Sequence, residues 1–395
     1  MKIVIYYHSA GLGGQQTQIC NLIRDFSRLK HQVTWCYETG SDNISTVSEN
    51  AHLEKIALPK LIDKSAKYFL PKLFFFVLKS LYRLFWIFSQ LKKYDCSLVI
   101  SNDLYGSLLC GLIARFKGIK HFRMIGGDDR NLNPGWYKYY RITNHDKLVD
   151  GYFGFPKVNE DYADIGVQSK KLPSYTYNAV DTNKFFPLDA SYVEKIRDDL
   201  KISKNDLVIG WVGRLQPRMQ VGNTVRLGKK LLDLGMQNFF LLIVGGGLFE
   251  NGIEDRSYPE ELRSLCADLG LMDKVLFTDW VPPHEMNEYI NAMDIVPLLE
   301  DDPHGGSLIR EAMACGKLTI SVDGKSHTQK HFMHSDFSIL LSDQNYINDC
   351  AEKISSLAKD RRQIETMGRK AREYCTKHMS SEQQARDIIE YYEAS

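Results

Sequence analysis

Short apolar runs alternate with helix-like stretches along the first half of the chain. Short runs that predict strands occupy residues 2–7, 32–37, 97–101 and 120–125. Apolar residues recur at helical spacing over about 15–29 and 105–117. Strands that alternate with helices predict a parallel sheet with helices on both faces.

The second half of the chain repeats this alternation. Strands are predicted at 207–213, 239–245, 275–277, 295–298 and 317–321, and helices at about 221–235, 258–269, 284–292 and 307–315. A stretch from Phe186-Pro187 to about residue 205 separates the two series. We therefore expect an N-terminal domain over 1–190, a C-terminal domain over 191–378 and a last helix over 379–395. A doubly wound domain binds ligands at the carboxyl ends of its strands.

The two halves carry opposite charge, although the 395-residue chain has a formal net charge of only +1. Residues 1–187 contain 25 Lys and Arg against 16 Asp and Glu, whereas residues 188–395 contain 25 against 33. This asymmetry suggests that the halves meet different partners.

The cysteines and the N-terminus predict a cytoplasmic protein. None of the eight cysteines has the spacing of a metal knuckle or a redox motif, so free buried thiols in a reducing compartment are expected. Met1-Lys2 leads directly into the first apolar strand, a pattern that differs from a signal peptide.

Residues 64–93 contain seven basic residues, no acidic residue and many aromatic ones. Lys79 and Arg83 lie in the middle of the apolar stretch 71–91, where a membrane-spanning helix would carry them at high cost. With Lys72 they fall on one side of a helix, the pattern of an interfacial helix on an anionic membrane. A helix that packs on the sheet with its basic edge in water is the alternative.

A glycine-rich turn, Gly11-Leu12-Gly13-Gly14, lies between the first strand and the first helix. Glycines permit close backbone approach, and the helix N-terminus offers free N–H groups to an anion. Position 16 is Gln, so the turn is not a dinucleotide fingerprint. It marks either an anion site or only a tight turn.

Two strand ends in the second half carry candidate chemistry. Arg214 follows a buried strand and offers five donors suited to a diphosphate, or a surface ion pair. Another strand runs into the acidic, Gly-rich stretch 300–306, which opens a helix. There the N–H groups of Gly306, Ser307 and Leu308 could hold a phosphate, and the Glu311 carboxylate could accept two ribose hydroxyls. A plain acidic surface loop is the other interpretation.

These motifs resemble the family 4 retaining glycosyltransferases. Six strings match in order: Gly13-Gly14, Tyr177–Asp181 with Phe186-Pro187, Gly213–Leu215, Ile243–Gly247, Leu269–Pro282 and Glu311–Gly316. The tail 379–395 is similar to the last helix of that family, which crosses back onto the N-terminal domain. The resemblance implies an α/β chain of the GT-B fold, with two facing Rossmann-like domains.

The resemblance also implies roles. Arg214 would bind the donor diphosphate and stabilise the leaving nucleotide, and Glu311 would bind the ribose. Backbone groups of Gly13, Gly14, Ser307, Leu308 and Val281 would contact phosphate, sugar or base. The substrates would be a nucleotide-sugar donor and a glycan or lipid-linked acceptor, as in bacterial surface polysaccharide assembly. No cofactor or metal is expected, and Asp301-Asp302 is the only nearby acidic pair. The basic stretch has no nucleic-acid module.

Three departures from the family pattern bear on activity. Pro303 replaces a Glu that contacts the donor sugar, so Asp302, His304 (beside Gly305) or Glu300 could substitute. Met219 replaces a Lys, for which Arg218 could compensate. Gly126 replaces a His, and Asp128 or Asp129 could take its place. These losses keep open a catalytically silent relative that acts as a binding or scaffolding subunit. A nucleotide-sugar epimerase is disfavoured because no clear acid/base pair is present.

Overall fold

A computed structural model describes most of the chain as two compact units. The described residues are 1–7, 14–38, 53–58, 82, 85, 88–89, 96–102, 104–125, 145–154, 179–250, 253–301, 307–324 and 329–395. The N-terminal unit consists of Met1–Ala179 and Ser381–Ser395, and the C-terminal unit of Val180–Ser380.

The N-terminal unit contains one parallel six-stranded sheet. Its strands are β1 (Lys2–Tyr6), β2 (Gln32–Glu38), β3 (Leu53–Leu58), β4 (Leu98–Ser101), β5 (Lys120–Ile125) and β6 (Gly151–Gly154). They are arranged in the order β3-β2-β1-β4-β5-β6. Its described helices are α1 (Gly14–Arg28) and α2 (Leu104–Lys117). The order reverses between β1 and β4, as in a doubly wound Rossmann-like fold.

The last helix, α10 (Ser381–Ala394), packs within the N-terminal unit. Its Ala385 and Ile388 join the apolar core formed by α1 and the sheet. The Tyr391 ring lies 5.3 Å from that of Phe122, and its hydroxyl donates to the Asp150 carbonyl at 3.0 Å. Burial of its apolar face therefore ties the C-terminal end of the chain to the first sheet.

The C-terminal unit has a second parallel six-stranded sheet. Its strands are β7 (Leu207–Val212), β8 (Phe239–Val244), β11 (Val275–Phe277), β12 (Ile295–Leu298), β13 (Leu318–Val322) and β14 (Ser338–Leu341), with a separate β9–β10 hairpin (Leu248–Glu250, Ile253–Asp255). The order β11-β8-β7-β12-β13-β14 reverses between β7 and β12. Both units thus repeat one topology.

Helices surround this second sheet. They are α3 (Ala190–Asp199), α4 (Gly222–Asp233), α5 (Ser257–Asp268), α6 (Met286–Asn291), α7 (Ser307–Ala314), α8 (Tyr346–Leu357) and α9 (Arg361–His378). Strands β7 and β12 are buried at every position, as their continuous apolar sequences require.

The boundary between the units differs from the predicted position at 190/191. The C-terminal unit begins at Val180, because the segment after it is bound to that unit's helices. The amide of Phe186 donates to Asn287 Oδ1 at 3.1 Å, and that of Leu188 to Asn291 Oδ1 at 2.9 Å. The Asn287 and Asn291 side chains thus accept hydrogen bonds from the backbone N–H groups of a segment that the sequence pattern indicates only as a linker.

All eight cysteines are free thiols, and seven of them are buried. Within the described part of the chain, none of the helices is both long and apolar enough to span a membrane. Most of the basic segment 64–93 lies outside the described residues; Tyr82, Phe85, Phe88 and Ser89 are helical.

Helix α9 packs closely against the turn that follows α7. Gly316 takes a left-handed φ of 71° there, and a Cβ on Gly368 would lie 2.1 Å from the Gly316 carbonyl oxygen. Because both partners are backbone, the contact requires glycine at 368.

We expect Gly368→Ala to lower the free energy of unfolding by about 3 kcal/mol, since overpacking against backbone forces the helix to shift. Urea denaturation followed by circular dichroism measures this change. Lys370→Ala, an exposed change on the same helix, is the control. Equal stabilities of the two variants would contradict the proposed close packing.

Candidate nucleotide-binding site

The strand order of the C-terminal unit marks one edge of its sheet as the candidate site. Strands β7 and β12 lie side by side where the order reverses, and their chains then leave in opposite directions around the sheet. Ligands of doubly wound domains bind outside the carboxyl ends of such strands. Arg214 follows β7, and Asp301 and Ser307 follow β12, so this geometry brings the predicted residues to one edge.

The loops at this edge are joined through backbone hydrogen bonds. Gly213 N donates to Val244 O at 3.0 Å, Leu215 N to Gly246 O at 2.8 Å and Gly245 N to Asp279 O at 3.1 Å. Gly245 has a φ of 130°, and a Cβ there would lie 1.9 Å from Gly213 O. The glycines therefore permit the contact that fixes the backbone on both sides of Arg214.

Arg214 and Arg218 are two cations that follow β7 at this edge. Both side chains are exposed, and neither makes a hydrogen bond or ion pair with any residue that the structure describes. Arg218 lies in a short 3-10 turn over Pro217–Met219. Two guanidinium groups without partners on loops with fixed backbone are suited to binding phosphate oxygens.

Helix α7 supplies the candidate carboxylate. Ser307 is exposed at its first turn, and Glu311 is half-buried one turn later. Burial raises the pKa of Glu311, while Lys184, Arg310 and a hydrogen bond with the Ser307 side chain oppose this rise. The first amides of the helix, at Ser307 and Leu308, lack intrahelical acceptors by their position and can face an anion.

A group of four polar side chains links the loop after β7 to the loop after β12; we call Gln220, Asn223, Asp301 and Tyr346 the Asp301 cluster. Gln220 Nε2 donates to Asp301 Oδ2 at 2.6 Å, and Asp301 N donates to Gln220 Oε1 at 2.7 Å. The Tyr346 hydroxyl donates to Asp301 Oδ1 at 2.7 Å and accepts from Asn223 Nδ2 at 3.0 Å.

Sequence reasoning did not single out Gln220, Asn223, Tyr346 or Lys184. The Asp301 cluster joins three separate parts of the chain, at 220–223, 301 and 346, and its members belong to common polar types. Gln220 has an unusual left-handed backbone, with a φ of 46°, but no sequence motif predicts this conformation.

Other predicted site residues are partly described. Val281 has a buried side chain, and Gly14 begins α1 directly beyond the Gly-rich turn. Met219, at the position of the missing Lys, is half-buried. The remaining predicted residues and departures lie outside the described residues: Gly13, Gly126, Asp128, Asp129, Asp302, Pro303, His304, Gly305 and Gly306.

The arrangement combines two cations, a helix N-terminus and a half-buried carboxylate at one sheet edge. Cations and N–H groups bind phosphate oxygens, and a carboxylate accepts hydroxyl hydrogen bonds. Across the residues that the structure describes, no group of three or more His, Cys, Asp or Glu is placed to hold a metal ion. The chemistry present is therefore that of a site for a phosphorylated, hydroxyl-bearing ligand.

Comparison with known proteins finds a family model that matches within the C-terminal unit, and curated relatives that match part of the chain. Residues 193–374 match the family described as "Glycosyl transferases group 1". A D-inositol 3-phosphate glycosyltransferase of Acidothermus cellulolyticus is 32% identical over 139 residues, which cover 35% of this chain and 30% of the relative. The chain spans about a third of the length of three such curated relatives.

Solved structures resemble the whole chain. The structure of Anabaena HepE in complex with UDP superposes with a TM-score of 0.79 at 16% identity, covering 100% of both chains. The lipopolysaccharide outer core galactosyltransferase WaaB superposes with a TM-score of 0.67 at 15% identity, covering 100% of this chain and 99% of the other. These similarities confirm the predicted GT-B fold of two Rossmann-like units.

The raised pKa of Glu311 predicts a pH-dependent cost in stability. Between the pKa of the unfolded chain and the higher pKa of the folded protein, the folded state binds more protons, so its stability falls as pH rises. Glu311→Gln removes this dependence. The variant should therefore gain stability relative to wild type as the pH rises from about 4 to 7, as measured by urea denaturation.

Glu365→Gln makes the same chemical change at an exposed position of α9 and serves as the control. A relative stability of Glu311→Gln that falls as pH rises would mean that ionised Glu311 stabilises the unit through Lys184 and Arg310.

Proposed function

We propose that this chain, of which residues 193–374 match the glycosyl transferases group 1 family, transfers a sugar from a nucleotide-sugar donor to a glycan or lipid-linked acceptor. The observation that carries the proposal is that Arg214, which has no partner among the described residues, follows the strand next to the one that leads into α7, at the reversal of strand order. An exposed guanidinium at the same sheet edge as a helix N-terminus suits a diphosphate, which carries two charged groups within one short ligand.

Each element of the edge has a part in donor binding. Arg214 and Arg218 would hold the diphosphate, with Arg218 compensating for Met219. The amides of Ser307 and Leu308 would contact phosphate, and Glu311 would accept the ribose hydroxyls. The half-buried position of Glu311 supports this role. Removing a carboxylate from water costs free energy, so such a group is retained where another interaction, such as ligand binding, offsets that cost.

We infer a reaction that retains the configuration of the anomeric carbon and uses no protein nucleophile. The bond between this carbon and the diphosphate oxygen breaks, and the acceptor oxygen bonds to the same face. The departing diphosphate oxygen takes the acceptor proton. Arg214 would stabilise the negative charge that develops on the diphosphate, which is electrostatic catalysis that requires no metal ion.

The relatives suggest which substrates to test first. The Anabaena HepE structures contain UDP, UDP with glucose, or UDP-glucose. WaaB is a lipopolysaccharide galactosyltransferase by its description, and the curated relatives act on inositol 3-phosphate by theirs. A UDP-sugar donor and an acceptor of bacterial surface polysaccharide assembly are our leading expectation.

We also propose a cytoplasmic protein that binds the inner membrane surface peripherally through the segment 64–93. Its basic residues would contact anionic head groups, and its aromatic residues would enter the apolar boundary. Tyr82, Phe85 and Phe116 expose 54%, 72% and 81% of their surface, which is unusual for large apolar side chains in water. The free buried cysteines are compatible with a reducing compartment.

Calorimetric titration with UDP, GDP, ADP and CMP, without added metal, tests the proposal directly. We expect one nucleotide to bind selectively and Arg214→Ala to weaken that binding. With the corresponding sugar donor, Arg214→Ala should lower turnover on the order of 100-fold, because a charge-stabilising donor is lost.

Arg369→Ala removes an exposed arginine from α9 and is the matched control. Normal turnover by Arg214→Ala would contradict its role. Absence of binding by folded wild-type protein would instead favour a silent scaffolding relative, in which Met219 and Pro303 mark a lost site.

The membrane proposal predicts that replacing Lys72, Lys79 and Arg83 together by Glu abolishes flotation with phosphatidylglycerol vesicles. Reversed charge repels anionic head groups, each basic residue being worth about 1 kcal/mol of attraction. Changing Lys195, Lys359 and Lys370, exposed residues of the C-terminal unit, to Glu alters net charge equally and should not affect flotation. Unchanged flotation of the first variant would refute the membrane role.

A further inference from the structure

We propose that the Asp301 cluster positions Arg218 for the donor diphosphate, with Tyr346 and Gln220 as positioning residues; this inference rests on the proposed function. The cluster lies where the loop after β7 meets the loop after β12. It therefore connects the two chain segments to which the proposed diphosphate site belongs.

The pairing of Gln220 with Asp301 is reciprocal. The side-chain amide donates to the carboxylate at 2.6 Å, and its own oxygen accepts from the Asp301 backbone at 2.7 Å. Two antiparallel hydrogen bonds fix both the distance and the rotation between the groups, which a single bond would not. Gln220 directly follows the turn that carries Arg218, so this pairing fixes the end of that turn.

Tyr346 holds the other oxygen of Asp301. Its hydroxyl donates to Oδ1 at 2.7 Å, and burial together with this bond raises the pKa of Tyr346 to about 12. The hydroxyl also accepts from Asn223 Nδ2, which in turn donates to the Leu299 carbonyl at 2.9 Å. The first residue of α8 thereby anchors both loops to the body of the unit.

The left-handed conformation of Gln220 gives this network a further consequence. A non-glycine residue at φ 46° is held against its intrinsic preference. The hydrogen bonds to Asp301 offset that cost and select the conformation. Without these hydrogen bonds the backbone after Met219 would relax, and Arg218 would lose its fixed position. Arg214 would keep its position, because the contact between Gly213 and Gly245 holds its backbone.

The test measures nucleotide affinity and hydrogen exchange on the full chain. In calorimetric titrations with UDP, GDP, ADP and CMP, Tyr346→Phe should raise the Kd of the nucleotide that binds about tenfold. This change corresponds to the loss of one hydrogen bond to a charged group. In the ligand-free protein the same variant should speed amide exchange over residues 216–223. Tyr192→Phe is the matched control, because it removes a tyrosine hydroxyl that donates to the Glu288 carboxylate at 2.8 Å.

An exchange of donor and acceptor separates positioning from general loss of stability. Gln220→Glu alone places two carboxylates together and should weaken binding more than Tyr346→Phe. Combining Gln220→Glu with Asp301→Asn restores one donor and one acceptor at the same positions. We expect this double variant to bind within about threefold of wild type, because both hydrogen bonds of the pair can form again.

The outcomes distinguish the two proposals. Wild-type protein that binds none of the four nucleotides would refute the proposed function and with it a role of the cluster in donor binding. Normal wild-type binding, with unchanged affinity and exchange in Tyr346→Phe, would refute the cluster's role alone. So would a double variant no better than Gln220→Glu by itself.

Discussion

The close backbone contact between Gly213 and Gly245 is the constraint on which the candidate site depends. A side chain on Gly245 would overlap the Gly213 carbonyl, so the loops after β7 and β8 can meet only through glycine. Their meeting allows the hydrogen bonds that continue the sheet beyond its last regular residues. The backbone around Arg214 is thus fixed by main-chain contacts, which leaves its side chain available to a ligand.

Stability and function conflict at α7. One side of this helix is buried, because the side chains of Leu308, Ile309 and Met313 lie in the core. The same helix carries Glu311, whose pKa is raised by burial, and the buried Arg310. A carboxylate under such conditions costs stability, and this cost is typical of groups arranged for binding.

The sequence predicts the central strands of both sheets better than the edge strands. Strands β7, β8 and β12 lie within one residue of their predicted bounds, because continuous apolar runs are a strong signal for buried parallel strands. Of the four edge strands, β11 was predicted, whereas β3, β6 and β14 were not. Strands β6 and β14 have only four residues, and Glu54 and Lys55 interrupt the apolar residues of β3. Arg214 and Glu311 were singled out because they belong to local motifs. The Asp301 cluster was not, since only the strand order brings residues 220, 223, 301 and 346 together.

The acidic character of residues 188–395 does not conflict with a diphosphate site. Charges separated by more than about 10 Å are largely screened at physiological ionic strength, so the immediate surroundings decide. There the acidic Asp301 is engaged by Gln220 and Tyr346, which are neutral donors, whereas Arg214 and Arg218 have no carboxylate partner among the described residues. Neither of these two hydrogen bonds to the carboxylate engages a cation. The local arrangement can therefore favour an anion although the surrounding unit carries a net negative charge.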